Sequence, residues 1–274
     1  MEIYRASAFS KDGAGGNKAG VVLDQAALTS AQKQEIAKEV GYSETVFFSE
    51  SKTADYRLEY FTPMDEVPLC GHATVAAFVV LNTLNRLAKR DCTIETGAGI
   101  LRIQVQADGM VLMEQNRPTY AEILEPSELS DCFDERAFAP GLPIRIVSTG
   151  LRDIRLPIRS EEALAGLKPD FKATKRLSAE KNVVGVHAFT LAEGGGIDAV
   201  CRNFAPLYGI DEESATGTSS GALDSYLFRY GERKSRYVYE QGRELGAASR
   251  ITVQLETDGE GIKAVFVGGY GYLL

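Results

Sequence analysis

Residues 68–81, PLCGHATVAAFVVL, place Cys70, Gly71 and His72 directly before an almost wholly apolar helix pattern. A thiol and an imidazole can each exchange protons or attack a substrate. The first N–H groups of a helix have no partners within the helix and carry partial positive charge, so they bind carboxylates or phosphates. The segment therefore predicts a helix that begins at His72 and presents a reactive, anion-binding end.

A second segment of this kind lies in the other half of the chain. Residues 217–220 read Gly-Thr-Ser-Ser and precede the stretch GALDSYL, which predicts a helix from about Thr218. Both 71–74 and 217–220 consist mostly of small residues, which would let a ligand approach the backbone. Two helix starts of this kind suit one small anionic ligand.

Residues 217–221, GTSSG, also fit the G-x-S-x-G nucleophile elbow of α/β-hydrolases, with Ser219 as the nucleophile. That fold requires its histidine after the serine in the chain, whereas His72 and His187 both precede it. The elbow should also follow a buried apolar strand, but the preceding residues are GIDEESAT. A hydrolase is therefore disfavoured.

Short strands and few helices are predicted as the elements that position these residues. One surface helix is expected from about Ser30 to Val40, because Thr29 and Gln32 have capping-box spacing and Gly41 can end the helix. The helix after Cys70 is apolar nearly all round and should be buried on every side. The predicted strands of the first half are IYRASAF, AGVVLD, TVFFSE, YRLEYFT, CTIET, LRIQVQ and MVLME.

The order of these elements recurs in the second half. Residues 60–81 correspond to 203–227, and residues 101–114 correspond to 249–267, with turns at Asp108-Gly109 and Asp258-Gly259. We therefore predict an α+β fold of two pseudo-symmetric α/β rolls, each a mostly antiparallel sheet wrapped around a central helix. The first roll is expected to span 1–118, with a strand at about 265–274 returning to it, and the second to span 119–264.

Composition restricts the partners and the compartment. The 274 residues are 44% hydrophobic and 25% charged, as in an ordinary globular chain, and the net charge of -8 argues against a nucleic-acid partner. The longest apolar run, 75–81, is too short to cross a membrane, and the N-terminus lacks signal-peptide features, so we expect a cytoplasmic protein. The spacing of Cys70, Cys92, Cys132 and Cys201 predicts neither disulfides nor a metal site.

Six motifs along the chain resemble those of one family. The chain resembles the PhzF-like (phenazine biosynthesis-like) isomerases, within the diaminopimelate-epimerase-like superfamily, over nearly its whole length. The resemblance implies a cavity between two rolls, proton-transfer chemistry without an organic or metal cofactor, and often a homodimer. The motifs are GNKAGVVL, GYSETVFF, YFTP…LCGHATVAAF, ETGAGIL, STGLRDIRLPI and GIDEESATGTSSGALDSYL.

The resemblance implies a role for particular residues. Glu44 matches the acid/base carboxylate that moves a proton between carbon positions, and we expect burial to raise its pKa toward the working pH. His72 matches a histidine that binds or protonates the substrate, and Gly71 and Gly217 match backbone positions that bind an anion. Without the resemblance, Glu44 would be interpreted as an exposed residue at the end of a strand.

Two departures from the family pattern concern the substrate. Family members usually read EDPATGSA, whereas residues 212–219 of this chain read EESATGTS, so Glu213 replaces an aspartate and Thr218 a serine. We expect a small, carboxylate-bearing substrate whose geometry differs from that of phenazine biosynthesis. The predicted catalytic residues are Glu44, His72 and Glu213, and the predicted substrate-binding residues are Gly71, Ala73, Gly217, Thr218 and Ser219.

Two alternatives remain. Diaminopimelate epimerase and proline racemase use two facing cysteines, and Cys70 lies where the first of these would be. The second helix start offers Thr216 instead, and a threonine hydroxyl is far too weak an acid to replace a thiolate. A two-base racemase that uses Cys70 is therefore disfavoured, and a non-catalytic small-molecule-binding protein is the other alternative.

Overall fold

The structure, a computed structural model, describes residues 2–23, 28–258 and 261–274, so Gly259 of the second predicted turn lies outside the described residues. The chain forms mixed β-sheet with few helices. The strands are β1 (Ile3–Ala8), β2 (Asn17–Val22), β3 (Thr45–Ser49), β4 (Tyr56–Phe61), β5 (Glu66–Val67), β6 (Asp91–Thr96), β7 (Gly99–Val105), β8 (Val111–Gln115), β9 (Thr119–Leu124), β10 (Ile144–Ser148), β11 (Arg152–Pro157), β12 (Gly185–Leu191), β13 (Ala199–Ala205), β14 (Ile210–Glu213), β15 (Arg236–Gln241), β16 (Ser249–Thr257), β17 (Ile262–Gly269) and β18 (Gly271–Leu273). The α-helices are α1 (Ser30–Val40), α2 (Gly71–Thr83), α3 (Glu161–Ala165), α4 (Phe171–Glu180) and α5 (Gly217–Tyr230).

The chain divides into two compact units. The first comprises Met1–Glu114 together with Gly268–Leu274, and the second comprises Gln115–Val267. In the first unit, β18 pairs antiparallel with β1, so that Leu273 lies opposite Ala6. This pairing attaches the end of the chain to the first unit.

The sheet of the first unit is mixed. β1 and β2 are antiparallel, β2 and β3 parallel, β3 and β4 antiparallel, β4 and β6 parallel, and β6 and β7 antiparallel. In the second unit, the strands β10, β11, β12, β13, β15 and β16 show the same alternation of antiparallel and parallel pairs. Among these strand pairs, each unit has three antiparallel and two parallel ones.

The first two helices follow the local sequence closely. Thr29 and Gln32 form the predicted capping box at the start of α1, and Gly41 ends this helix in the left-handed conformation with φ of 74°. α2 begins at Gly71, one residue before the predicted start, and every residue from His72 to Leu81 is buried. The apolar pattern of this helix thus correctly predicted that the helix is buried.

α5 is also largely buried, and it covers one face of the sheet in the second unit. Ile154 and Leu156 on β11 point to an apolar cluster that includes Leu164 and Leu177 of the shorter helices α3 and α4. Because side chains alternate along a strand, the neighbouring Arg155 points to the opposite face, where it bonds to α5. None of the described helices has both the length and the apolar character that crossing a membrane requires.

Candidate active site

Three chemically reactive residues meet at the start of α2 in the first unit. Glu44 immediately precedes β3, and Cys70 and His72 lie at the N-cap and in the first turn of α2. The Oε2 atom of Glu44 lies 3.1 Å from Nε2 of His72. The Sγ atom of Cys70 lies 3.4 Å from Nδ1 and 3.8 Å from Nε2 of the same ring. His72 thus contacts both a carboxylate and a thiol.

The position of Glu44 depends on close contact between β2 and β3. The N–H of Gly20 donates to the carbonyl of Glu44 at 3.1 Å, and Gly20 lies opposite Thr45 in the parallel pair. A Cβ atom at Gly20 would lie 2.6 Å from Oγ1 of Thr45 and 2.8 Å from Cγ1 of Val40. Only glycine therefore allows β2 to hold the chain at Glu44 in this place.

Polar contacts within the first unit fix the start of α2. Thr74 donates from its side chain and its backbone N–H to the carbonyl of Cys70, at 2.7 Å and 3.0 Å. Since this hydroxyl proton is used, the Tyr60 hydroxyl donates to Oγ1 of Thr74 at 2.7 Å. Neither Tyr60 nor Thr74 was predicted from the sequence as a site residue, although Thr74 lies within the GHAT motif.

The electrostatics of this cluster differ from the expectation for Glu44. Burial acts to raise the pKa of Glu44, but its contacts with His72, supported by Ser43 and Cys70, hold the pKa below its ordinary value. The predicted increase was therefore wrong, because it took account of burial but not of the imidazole at 3.1 Å. Glu44 is accordingly an ionised carboxylate at neutral pH.

The two other groups hold their protons. Burial disfavours the charged imidazole, but hydrogen bonds to the Cys70 sulfur and to the Glu44 carboxylate, together with the negative charge of that carboxylate, hold the pKa of His72 well above its usual range. Burial raises the pKa of the Cys70 thiol. The site therefore contains a carboxylate that can accept a proton beside an imidazolium that can donate one, which is the separation of roles that acid–base catalysis requires.

The same three residues could bind a metal ion. Their ligand atoms, one each from Glu44, Cys70 and His72, all lie within 4.8 Å of one another, the one such group found in the described parts of the chain. A thiolate, an imidazole and a carboxylate are all ligands that zinc accepts. Sequence spacing did not predict this group, since the fold brings Glu44 to the other two residues.

A second polar group lies at the start of α5, in the second unit. Thr216, the N-cap residue, donates from Oγ1 to Oε2 of Glu213 at 2.6 Å. Gln241 donates from Nε2 to the carbonyl of Glu213 at 2.7 Å and to Oγ1 of Thr216 at 3.0 Å, and accepts from the Thr216 N–H at 3.2 Å. Glu213 is thus held against the helix start. Gln241, which lies in β15, was not identified from the sequence.

The side chain of Ser219 points into the second unit. It is buried and donates its hydroxyl hydrogen to Oδ2 of Asp153. The histidine of this unit, His187, instead has its Nδ1 atom 3.0 Å from Oδ1 of Asn203. The serine is therefore bound to a carboxylate rather than to an imidazole, which is a further argument against the nucleophile elbow of a hydrolase.

The other predicted binding residues differ in burial. Gly217 and Ala73 are buried, Gly71 and Thr218 are partly buried, and the carbonyl of Thr218 accepts a hydrogen bond from Oγ1 of Thr149 at 3.0 Å. Neither N-cap residue, Cys70 or Thr216, caps its helix with a side-chain hydrogen bond. The first N–H groups of α2 and α5 are thus not bonded by the hydrogen-bond pattern of an ordinary N-cap side chain.

Comparison with known proteins identifies related sequences. The family model PhzC-PhzF, described as phenazine biosynthesis-like protein, matches residues 6–274. An uncharacterized isomerase of Deinococcus radiodurans is 38% identical, with 96% of this chain and 89% of that protein covered. The trans-2,3-dihydro-3-hydroxyanthranilate isomerase of Pseudomonas aeruginosa is 30% identical, with 96% and 94% covered.

Solved structures agree with the sequence relatives. The phenazine biosynthesis protein of the PhzF family from Bacillus anthracis matches with a TM-score of 0.89 and 30% identity, over 100% of this chain and 98% of that one. A hydroxyproline epimerase from Agrobacterium vitis matches with a TM-score of 0.62 and 13% identity, over 99% and 90% of the two chains. The second likeness shows a shared fold.

Proposed function

The chain belongs to the phenazine biosynthesis-like protein family, a family of isomerases, and we propose that it moves a proton between carbon atoms of a small, carboxylate-bearing substrate. Glu44 is the group that takes up and returns the proton, and His72 and Glu213 assist it. The observation that carries this proposal is the 3.1 Å contact between the carboxylate of Glu44 and the imidazole of His72 at the start of α2.

The proposed reaction neither adds nor removes protons overall. A C–H bond of the substrate breaks, its proton passes to Glu44, and the electron pair moves along the substrate's conjugated system. Glu44 then returns a proton to a different carbon, so the product is an isomer and the enzyme is restored. His72 stabilises the negative charge that develops on the substrate and keeps Glu44 ionised between turnovers.

The proposed anion-binding groups are the first N–H groups of α2 and of α5, each within its own unit. A substrate carboxylate would bind to uncapped N–H groups of a helix start, where the helix dipole favours negative charge. Glu213, held by Thr216 and Gln241, would assist from the start of α5.

We also propose that the two units are pseudo-symmetric rolls, because their strand pairings alternate in the same order.

The first test uses the compound named in the Pseudomonas aeruginosa relative, trans-2,3-dihydro-3-hydroxyanthranilate, followed by other small amino and hydroxy carboxylates. With one of them in D₂O we expect a product of isomeric structure, with deuterium at the carbon that receives the proton or with the substrate's own hydrogen transferred there. NMR and mass spectrometry distinguish these two results. Binding of a compound without any exchange or rearrangement would support the binding-protein alternative.

Cys70 provides the test of the racemase alternative, because its sulfur lies 3.4 Å from the His72 ring. We expect Cys70→Ala to keep turnover within about tenfold of wild type, since the change alters packing, whereas loss of a true acid/base group costs roughly 10²-fold or more. Cys92→Ala, at another buried thiol of the first unit, is the matched control. A loss above 10²-fold in the Cys70 variant alone, with the fold intact by circular dichroism, would assign the chemistry to the thiol.

A further inference from the structure

A row of polar side chains crosses the sheet of the second unit on the face that α5 covers. In the strand register, Arg155 lies opposite His187, His187 opposite Asn203, and Asn203 opposite Glu213. Directly opposite residues project to the same face of a sheet. Arg155, His187 and Asn203 are buried, so the row leads from the interior to the carboxylate proposed to assist catalysis.

One end of this row is bonded to the first turn of α5. Arg155 donates from Nη1 to the carbonyl of Ser219 at 2.6 Å and from Nη2 to Oδ2 of Asp153 at 3.1 Å. The same Asp153 oxygen accepts the hydroxyl hydrogen of Ser219. A buried ion pair thus holds a single residue of the helix start by both its side chain and its backbone.

Stability alone does not account for this ion pair. Asp153 and Arg155 are both buried, and Oδ1 of Asp153, Nε of Arg155 and Nε2 of His187 have no hydrogen-bond partner among the described residues. Replacing a buried ion pair with apolar residues of similar volume is often neutral or stabilising. An incompletely bonded pair therefore contributes less to the free energy of folding than apolar side chains would. Its place directly beneath the start of α5 suggests another role.

Arg202 shows the contrasting case within the same sheet. It projects to the opposite face and forms two hydrogen bonds with the carboxylate of Glu212, at 2.8 Å and 2.7 Å. It also donates to the carbonyls of Leu164 and Leu167, both at 3.0 Å. This arginine binds the chain at Leu164 and Leu167 to the sheet, and among the described residues it forms no hydrogen bond or ion pair with α5, so it is a suitable control.

We propose that Asp153, Arg155, His187 and Asn203 are positioning residues, which fix the first turn of α5 and the carboxylate of Glu213 in the geometry that the substrate requires. The proposal rests on the proposed function for the roles of α5 and Glu213. It assigns two separable effects to the row. The ion pair bonded to Ser219 orients the N–H groups at the start of α5, so it governs substrate binding. At the other end of the row, Asn203 lies opposite Glu213, so His187 and Asn203 govern turnover.

Hydrogen exchange tests the structural half of the proposal without a substrate. In Ser219→Ala and Arg155→Lys, amides of residues 219–222 should exchange roughly tenfold faster than in wild type. The first variant removes the hydroxyl that donates to Asp153, and a lysine ammonium cannot reproduce the hydrogen bonds of the guanidinium to Ser219 and Asp153. Arg202→Lys, on the opposite face, should leave exchange in this segment unchanged. Equal exchange in all four proteins, measured by mass spectrometry, would overturn the proposal even if Arg155→Lys were poorly folded, since Ser219→Ala removes only one hydroxyl.

Kinetics with trans-2,3-dihydro-3-hydroxyanthranilate, or calorimetric binding of it if it is not turned over, tests the other half. We expect Ser219→Ala to raise KM or Kd roughly tenfold with kcat within about threefold, and Asn203→Ala to lower kcat roughly tenfold with KM nearly unchanged. If KM and kcat changed together, and by similar amounts, in Ser219→Ala, Asn203→Ala and Arg202→Lys, the row would have a merely structural role and the inference would be refuted. Full turnover in Glu44→Gln, with the exchange effects present, would instead refute only the proposed function.

Discussion

Glu44→Gln is expected to bind substrate within about threefold of wild type and to lower turnover by roughly 10²-fold or more. Glutamine keeps the size of the side chain and can still form a hydrogen bond with His72, but it cannot take up or return a proton. An interaction that is used only in the transition state is thereby removed, so kcat falls while the dissociation constant is nearly unchanged. Calorimetric binding and steady-state kinetics on the same substrate would measure the two effects separately.

A close control for this variant exists in the same unit. Glu59 has 18% of its side chain exposed, compared with 19% for Glu44, and it pairs with Lys33 rather than with a histidine. Glu59→Gln should therefore lose any contribution of a mostly buried ion pair, and the enzyme should keep its turnover. Near-wild-type turnover in Glu44→Gln would remove Glu44 from the mechanism and leave His72 and Glu213 as the candidates for proton transfer.

The features that local sequence determines were predicted well. The capping box of Thr29 and Gln32 and the left-handed Gly41 act within one or two turns of chain, and α1 has the expected bounds. The apolar run after Gly71 indicated a helix buried on all sides, and α2 is buried from His72 to Leu81. Helix start signals and apolar periodicity are both encoded by neighbouring residues, so a single sequence reveals them.

Features that depend on long-range register were not predictable in the same way. Burial alone suggested a raised pKa for Glu44, but the direction reverses because β3 brings this carboxylate to the start of α2. Asp153 and Arg155 looked like ordinary residues of the motif STGLRDIRLPI, and only the pairing of β11 with β12 reveals the row that they begin. A strand's partner is set by the whole fold, so these contacts are not readable from local pattern.

The Glu44 and His72 contact also explains why one residue cannot be changed without altering the other. The carboxylate raises the pKa of the imidazole, and the imidazole in turn lowers the pKa of the carboxylate. In such a pair, each group keeps its partner in the form that the proposed reaction needs. Removing the imidazole should therefore change the pH dependence of catalysis as well as its rate.

His72→Asn is accordingly expected to lower turnover by roughly 10²-fold and to move the acid limb of the kcat/KM profile to higher pH. Without the imidazole, burial remains as the largest influence on Glu44 and raises its pKa, so the carboxylate stays protonated up to a higher pH. Because the proposed base is the ionised form, activity should appear only as the pH rises past that shifted pKa. The measurement is a pH series of kcat/KM for wild type and variant.

Ser43→Ala separates this effect from a general disturbance of the site. The Ser43 hydroxyl lies 3.4 Å from Nε2 of His72 and contributes less than His72 to holding down the pKa of Glu44. Its removal should move the acid limb in the same direction by a smaller amount and leave most of the turnover. An acid limb that stays in place in His72→Asn, in a folded protein with measurable turnover, would mean that the group titrating in that limb is not Glu44. The proton would then have to be accepted by another carboxylate, and Glu213, fixed at the start of α5 by Thr216, would be the residue to replace next.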